Sequence, residues 1–266
     1  MKTPISWYGG KQMMLRYIIP IIPDHEVYTE SFFGGGAVFF AKPQAKCEVI
    51  NDLNQEAVNF YKVSKTSHQN LQYHVTTTLH SRTAYDDAKV IYSYPHLFDE
   101  VKRAWAFYTM CNQSFSSNLS SFGFDRTGST PKKLDNKRIN FTYEIEKRLE
   151  RATIESDDAI KVITRYDTEN AFHYVDPPYF NSNCGHYGGY KQSDFENLLQ
   201  TLANVKGKFL LSSYPSDILS SYTKEMGWDQ IGIEKSVAVS KNINKKKVEV
   251  LTANYPIASK VKAIMK

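Results

Sequence analysis

The sequence predicts an α/β protein of the open, doubly wound kind, interrupted by a mainly helical insert. Three observations carry that expectation. A strand, a glycine turn and a helix follow one another over residues 26–40, the unit that opens nucleotide-binding α/β sheets. Strands and helices alternate again from about residue 153 to residue 255. Between the two lies a block with helical periodicity only, which breaks the alternation and reads as an inserted domain. Residues 1–58 and 150–266 are therefore expected to form one domain and residues 59–149 a second, within a chain of 266 residues.

The elements follow in order. Ile5-Ser6-Trp7-Tyr8-Gly9-Gly10-Lys11 opens with a short extended piece. Its glycine pair permits close backbone approach. Lys11 then begins a helix over residues 11–19, which Pro20 ends. Residues 26–31 read as a strand, Phe32-Phe33-Gly34-Gly35-Gly36 as a turn, and Ala37-Val38-Phe39-Phe40 as a helix start. The next strand, Cys47-Glu48-Val49-Ile50, ends in Asn51-Asp52. Asp52 stands where an acid meets ribose hydroxyls, roughly 20 residues past the glycine turn. Its other reading is the cap of a helix beginning near Asn54. Phe39 replaces the third glycine of a dinucleotide turn, so the expected ligand is a nucleoside without a pyrophosphate.

The insert is expected to be helical over residues 54–79, 85–91 and 95–112. Val101, Ala104, Trp105 and Tyr108 mark one buried face. Residues 113–141 read as irregular, a length that is functional or disordered in a compact protein. Their aromatics and Lys/Arg suit base stacking and phosphate contact. A helix over 142–152 closes the block. Asp157-Asp158-Ala159-Ile160 starts a helix after a short strand. Phe172-His173-Tyr174-Val175 is an apolar, β-branched and aromatic strand. A loop over 180–189, a helix over 193–202, a strand over 208–213 and a helix over 218–226 follow. Strands over 228–237 and 247–253 then flank a hairpin tip rich in lysine.

Asp176-Pro177-Pro178-Tyr179 ends the central strand. Two prolines stop it and supply no N–H. The carbonyls of Asp176 and Pro177 are thus left to meet a ligand at the edge where open α/β sheets bind them. A carboxylate, two carbonyls and a flat ring suit a planar base with an exocyclic amine. The ring of Tyr179 is expected to do the work, with no task for its hydroxyl.

Charge adds a partner. The net charge is +5, and residues 102–151 hold the whole excess: ten Lys/Arg (Lys102, Arg103, Arg126, Lys132, Lys133, Lys137, Arg138, Lys147, Arg148 and Arg151) against five acids. A basic segment of this kind implies a polyanion. Cys47, Cys111 and Cys184 are isolated, as expected of a reducing cytoplasm. The histidines show no metal-ligand spacing, so no metal is expected. No apolar run reaches the ~20 residues of a membrane span, and the first residues lack the apolar core of a signal peptide.

Trp7-Tyr8-Gly9-Gly10-Lys11, Phe32-x-Gly34-x-Gly36, a basic insert and Asp176-Pro177-Pro178-Tyr179 stand in one order. That order resembles the Dam-like (class α) DNA adenine-N6 methyltransferases, over residues 5–58 and about 153–255. The resemblance implies a Rossmann-like methyltransferase fold with a seven-stranded mixed sheet. It implies S-adenosylmethionine as methyl donor and double-stranded DNA as partner. Trp7, Lys11, Phe32, Gly34 and Gly36 would hold the methionine end, Asp52 the ribose, and Asp158 and Ala159 the cofactor's adenine. Asp176, Pro177, Pro178 and Tyr179 would carry catalysis. The resemblance places Phe115 near the DNA stack, and the charge reading puts Arg126, Lys132, Lys133, Lys245 and Lys246 on the DNA backbone. It further implies a cytoplasmic, bacterial or phage-encoded enzyme acting as a monomer or as a dimer on DNA, with a cognate restriction endonuclease where the role is restriction. Cytosine-N4 or RNA adenine methylation, and a non-catalytic DNA-binding relative, stay open.

Overall fold

A computed structural model describes the chain apart from Asn118, Asp125, residues 181–188, residues 237–245 and Lys266. In chain order, a 3₁₀ turn at Lys11–Met14 leads into α1 (Leu15–Ile18) and a second 3₁₀ turn at Ile19–Ile21. There follow β1 (Val27–Glu30), α2 (Ala37–Ala41), β2 (Cys47–Asn51), α3 (Gln55–Thr66), α4 (His68–Thr77), α5 (Arg82–Ser93) and α6 (Glu100–Gln113). Then come α7 (Ser129–Ile139), α8 (Tyr143–Leu149), β3 (Ala152–Glu155), α9 (Ala159–Tyr166), β4 (Ala171–Val175) and α10 (Gln192–Ala203). The chain continues through β5 (Lys208–Ser213), α11 (Asp217–Met226), β6 (Asp229–Ser236), β7 (Lys246–Ala253) and α12 (Ala258–Met265).

Seven strands form one mixed sheet in the order β3-β2-β1-β4-β5-β7-β6. β4 runs parallel to β1 and to β5, while β7 is antiparallel to β5 and β6. The expected α/β class and seven-stranded mixed sheet are both present. Every residue of β4 is buried, which is why that strand reads as one continuous apolar run. Its one polar member, His173, is satisfied on both ring nitrogens. Nδ1 meets Thr29 Oγ1 at 2.8 Å and Nε2 meets Asp167 Oδ1 at 3.2 Å. Burial lowers the His173 pKa, although Asp167 opposes the shift. Asp167 is itself held below the usual carboxylate range. Burial pushes it up, but the N–H groups of Lys206 and Gly207, together with His173, outweigh that.

The helical expectations need five corrections. The helix expected over 11–19 is a 3₁₀ turn, one α-helical turn and a second 3₁₀ turn, and Pro20 lies inside the last of these instead of ending the run. The helix expected over 54–79 is two helices. Ser67, at φ −143° and ψ 40°, ends α3 and precedes α4; a hydroxyl residue in a Thr-Ser pair competes poorly for a helix interior. Pro95 opens a 3₁₀ turn, and α6 starts only after Asp99, whose side chain accepts from the Lys102 N–H. The segment expected to be irregular contains α7, begun after Gly128 at φ +73°. The helix expected to reach residue 152 stops at Leu149, and Ala152 already lies in β3. α12 has no counterpart among the expected elements. Its start is held by Asp229 Oδ2, 2.7 and 2.8 Å from the N–H groups of Ile257 and Ala258.

The chain divides into two compact units. The first comprises Met1–Met13, Phe33–Gln44 and Ile50–Asp157; the second comprises Met14–Phe32, Ala45–Val49 and Asp158–Lys266. In the first unit, Phe60, Phe107, Tyr108 and Phe141 pack ring on ring. In the second, Val175, Phe195, Leu199, Phe209, Leu211 and Trp228 form one apolar cluster.

Lys137 belongs to the fold of the first unit. Its ammonium donates to Thr3 O, Thr3 Oγ1 and Ile5 O at 2.7, 3.0 and 2.9 Å. Burial, with Lys133 nearby, pushes its pKa down to about 8. Lys137→Met is expected to leave these buried acceptors without their donor, at a cost of about 1–3 kcal/mol. Urea unfolding should show a lower midpoint at an unchanged slope. An unchanged midpoint would return Lys137 to the solvated basic surface.

Candidate active site

The glycine turn follows β1 and is held from both sides. Gly34 donates its N–H to Asp52 Oδ2 at 2.8 Å, and its carbonyl accepts from the Tyr61 hydroxyl at 2.8 Å. Gly34 has φ +46° and Gly36 φ +64°, which favours glycine at both. Space imposes the same choice. A Cβ on Gly34 would lie 2.4 Å from the Trp7 indole nitrogen, and one on Gly36 2.4 Å from the Phe33 ring. The Trp7 side chain therefore rests directly against the turn. Lys11 is buried and donates to Gly9 O at 2.9 Å, which ties down the opening loop. Trp7, Lys11, Gly34, Gly36 and Asp52 all fall within the first unit.

Asp52, directly after β2, bridges two segments. Oδ2 takes the Gly34 N–H and Oδ1 takes the Asn54 N–H at 2.9 Å. It does not cap α3. The cap is Asn54, whose side chain accepts from the N–H groups of Glu56 and Ala57. Burial raises the Asp52 pKa, and its backbone N–H partners only partly offset that. A carboxylate that has lost water but not all of its lone pairs is primed for further donors such as hydroxyls.

Asp176-Pro177-Pro178-Tyr179 follows β4 directly, in the second unit. The Tyr179 hydroxyl donates to Asp176 Oδ1 at 3.2 Å and lies 3.4 Å from Ser212 Oγ. No task was expected for that hydroxyl from the sequence, yet the structure engages it. Ser212 in turn donates to Glu249 Oε1, at 2.7 Å. The Tyr179 ring lies 4.3 Å, centroid to centroid, from that of Tyr214. Sequence reasoning missed Ser212, Tyr214 and Glu249. The available signal was position: Ser212 and Tyr214 lie at the C-terminal end of β5, the parallel neighbour of β4.

Asp158 caps α9 through its side chain, which accepts from Ile160 and Lys161, and Ala159 is buried behind it. Phe32 packs against the apolar cluster of the second unit and edge-on to Tyr190.

The basic insert is less uniform than its charge suggests. Arg103 pairs with Glu56 at 2.6 Å, Arg138 bonds Thr78 O, and Arg148 bonds Phe39 O and covers the Phe39 ring. With Lys137, that makes four cations held by the fold. Lys102, Arg126, Lys132, Lys133, Lys147 and Arg151 are exposed. Lys132 and Lys133 stand on α7, where a loop was expected. Phe115 is 52% exposed on a 3₁₀ turn. Lys245 lies outside the described residues, as does most of the lysine-rich tip; Lys246 begins β7.

Among the described residues no group of His, Cys, Asp or Glu is arranged to hold a metal ion, and no helix is long and apolar enough to cross a membrane. The Type II methyltransferase M1.LlaDCHI of Lactococcus lactis subsp. cremoris is 39% identical over 67 residues, covering 25% of this chain and 23% of that protein. The modification methylase StsI of Streptococcus sanguinis is 23% identical over 284 aligned positions, covering 96% of this chain and 40% of that protein. The chain thus spans less than half the length of these curated relatives. A solved structure, the precorrin 8W decarboxylase of Methanobacterium thermoautotrophicum, aligns over 96% of both chains at 12% identity with a TM-score of 0.41. Residues 7–255 match the model of the D12 class N6 adenine-specific DNA methyltransferases, and the chain belongs to that family.

Proposed function

We propose that this protein transfers a methyl group from S-adenosylmethionine to the N6 amine of an adenine flipped out of double-stranded DNA. The observation that carries the reading is the Asp176–Tyr179 arrangement directly after β4, in a chain of this family. One observation supports the fit to the cofactor: the Asp52 carboxylate, whose pKa burial raises, keeps acceptor capacity for ribose hydroxyls beside the glycine turn. Trp7, Lys11, Phe32, Gly34 and Gly36 would hold its methionine end, with Asp158 and Ala159 at its adenine. S-adenosylmethionine, when bound, supplies an electrophilic methyl group on a positively charged sulfur.

The residues of this chain prepare the nitrogen. An exocyclic adenine amine is a poor nucleophile because its lone pair is delocalised into the ring. Acceptance of its N–H groups by the Asp176 carboxylate and the Pro177 carbonyl localises that lone pair. The negative charge of Asp176 then stabilises the positive charge growing on nitrogen. Pro178 fixes the backbone between these acceptors and Tyr179. Extruding the base costs a few kcal/mol, and stacking on the Tyr179 ring, worth ~1–3 kcal/mol, offsets part of that. Transfer of tritium from labelled S-adenosylmethionine to unmethylated genomic DNA, followed by digestion with adenine-methylation-sensitive nucleases, tests the reading. Absence of N6-methyladenine in that DNA would overturn it.

Residues 59–149 form the DNA-reading insert in this proposal, with Phe115 against bases and Arg126, Lys132 and Lys133 on phosphates. Lys245 and Lys246 add a second basic contact. Removing one cation from a phosphate should lower the log–log salt slope of binding by about 0.9. The triple neutralisation of Arg126, Lys132 and Lys133 is expected to flatten that slope accordingly. An unchanged slope would move the DNA surface elsewhere. We place the enzyme in the cytoplasm of a bacterium, encoded by the cell or by a phage, as a monomer or as a dimer on DNA, beside a restriction endonuclease where the role is restriction.

A further inference from the structure

We propose that Ser212 and Glu249 are positioning residues that draw the Tyr179 proton off Asp176 and so remove one competitor of the target amine at the Asp176 carboxylate. This rests on the methyl-transfer reading above. The Tyr179 hydroxyl carries one proton, and both Asp176 Oδ1 at 3.2 Å and Ser212 Oγ at 3.4 Å lie within its reach. Both distances are long for O–H···O bonds, whose usual value is about 2.7–2.8 Å. Neither partner has captured the proton tightly.

Ser212 is prepared to receive it. Its own hydroxyl donates to Glu249 Oε1 at 2.7 Å, so its oxygen faces Tyr179 as an acceptor. Ser212 is fully buried and Glu249 nearly so, at 5% exposure. In that environment the Ser212–Glu249 bond, at 2.7 Å, polarises the serine oxygen toward its second partner. Two settings follow. With the hydroxyl on Asp176, one carboxylate oxygen is occupied and the carboxylate attracts an amine N–H less. With the hydroxyl on Ser212, the Asp176 carboxylate is rid of that competitor. No bond to carbon changes and no proton leaves the tyrosine; only its direction of donation differs. β5 supplies Ser212 and β7 supplies Glu249, so the antiparallel strand set between β5 and β6 brings the acid to the site.

The test is a cycle of three variants: Ser212→Ala, Tyr179→Phe, and the two combined. Single-turnover methyl transfer is measured with labelled S-adenosylmethionine and unmethylated genomic DNA. Ser212→Ala removes the alternative acceptor and leaves the hydroxyl on Asp176; its rate is expected to fall about tenfold, the effect of one hydrogen bond to a charged group. Tyr179→Phe removes the competing donor, and its own rate is the reference against which the double variant is read. The double variant is expected to recover most of the tenfold loss, which a purely structural role for Ser212 would not allow. S-adenosylmethionine affinity should stay near wild type in all three, while Ser212→Ala and the double variant melt somewhat lower because buried Glu249 loses a donor. A double variant as slow as Ser212→Ala, or slower, overturns the proposal. Failure of the parent reading looks different: the unmodified protein itself then gives no N6-methyladenine.

Discussion

Asp176→Ala is expected to cut single-turnover methyl transfer by on the order of 10²–10³-fold, the effect of removing one preorganised electrostatic partner from a developing charge. Cofactor affinity should change little, because the cofactor-binding residues proposed for the first unit do not include this side chain. Stability should change little as well, since a Tyr179 hydroxyl deprived of Asp176 still has Ser212 Oγ within 3.4 Å. Asp176→Asn separates charge from hydrogen bonding. The amide retains one acceptor oxygen but neither the negative charge nor the second acceptor, so its rate should fall nearly as far as that of the alanine variant. Quench-flow measurement at saturating S-adenosylmethionine decides the matter. Normal turnover in Asp176→Ala would remove the carboxylate from the chemistry altogether.

Asp52→Ala is expected to weaken S-adenosylmethionine binding by about ten- to a hundredfold, the effect of deleting hydrogen bonds to a charged group. A second effect accompanies the first. The N–H groups of Gly34 and Asn54 lose their acceptor, and each group left unsatisfied costs about 1–3 kcal/mol. The variant should therefore both melt lower and bind more weakly. Asp52→Asn keeps one acceptor oxygen and should show an intermediate melting temperature. Calorimetric titration with S-adenosylmethionine, beside thermal unfolding of the same samples, separates the two effects. A lower melting temperature at unchanged affinity would make Asp52 an anchor of the turn and nothing more.

The sheet was legible because its signals are local. Apolar runs with β-branched and aromatic residues mark β1, β2, β4 and β5, and the glycines after β1 announce the turn that Trp7 and Phe33 leave no room to alter. α7 was not legible because its face is almost wholly polar. Leu134 is its one fully buried apolar residue, and one residue sets no period. The break at Ser67 was hidden by helix formers on both sides. The partners of the insert's cations, Glu56, Thr78, Phe39 and the carbonyls near Thr3, are distant in sequence, so a count of basic residues could not separate solvated charge from charge held by the fold. The same holds for the Tyr179 hydroxyl. Ser212 is 33 residues away and Glu249 a further 37, and only strand order brings them together.

The packing of Trp7 on the glycine turn gives the molecule a built-in optical reporter. The other two indoles have different surroundings: Trp105 donates to Thr78 Oγ1 at 2.8 Å on α6, and Trp228 is buried against Phe209 and Tyr222. Trp7 alone lies where a Cβ on Gly34 would stand. A ligand settling on that turn is expected to alter the polarity around this indole, and comparison with a Trp7→Phe variant separates its emission from that of Trp105 and Trp228. The protein's own fluorescence thus offers a label-free way to titrate any ligand that reaches the glycine turn.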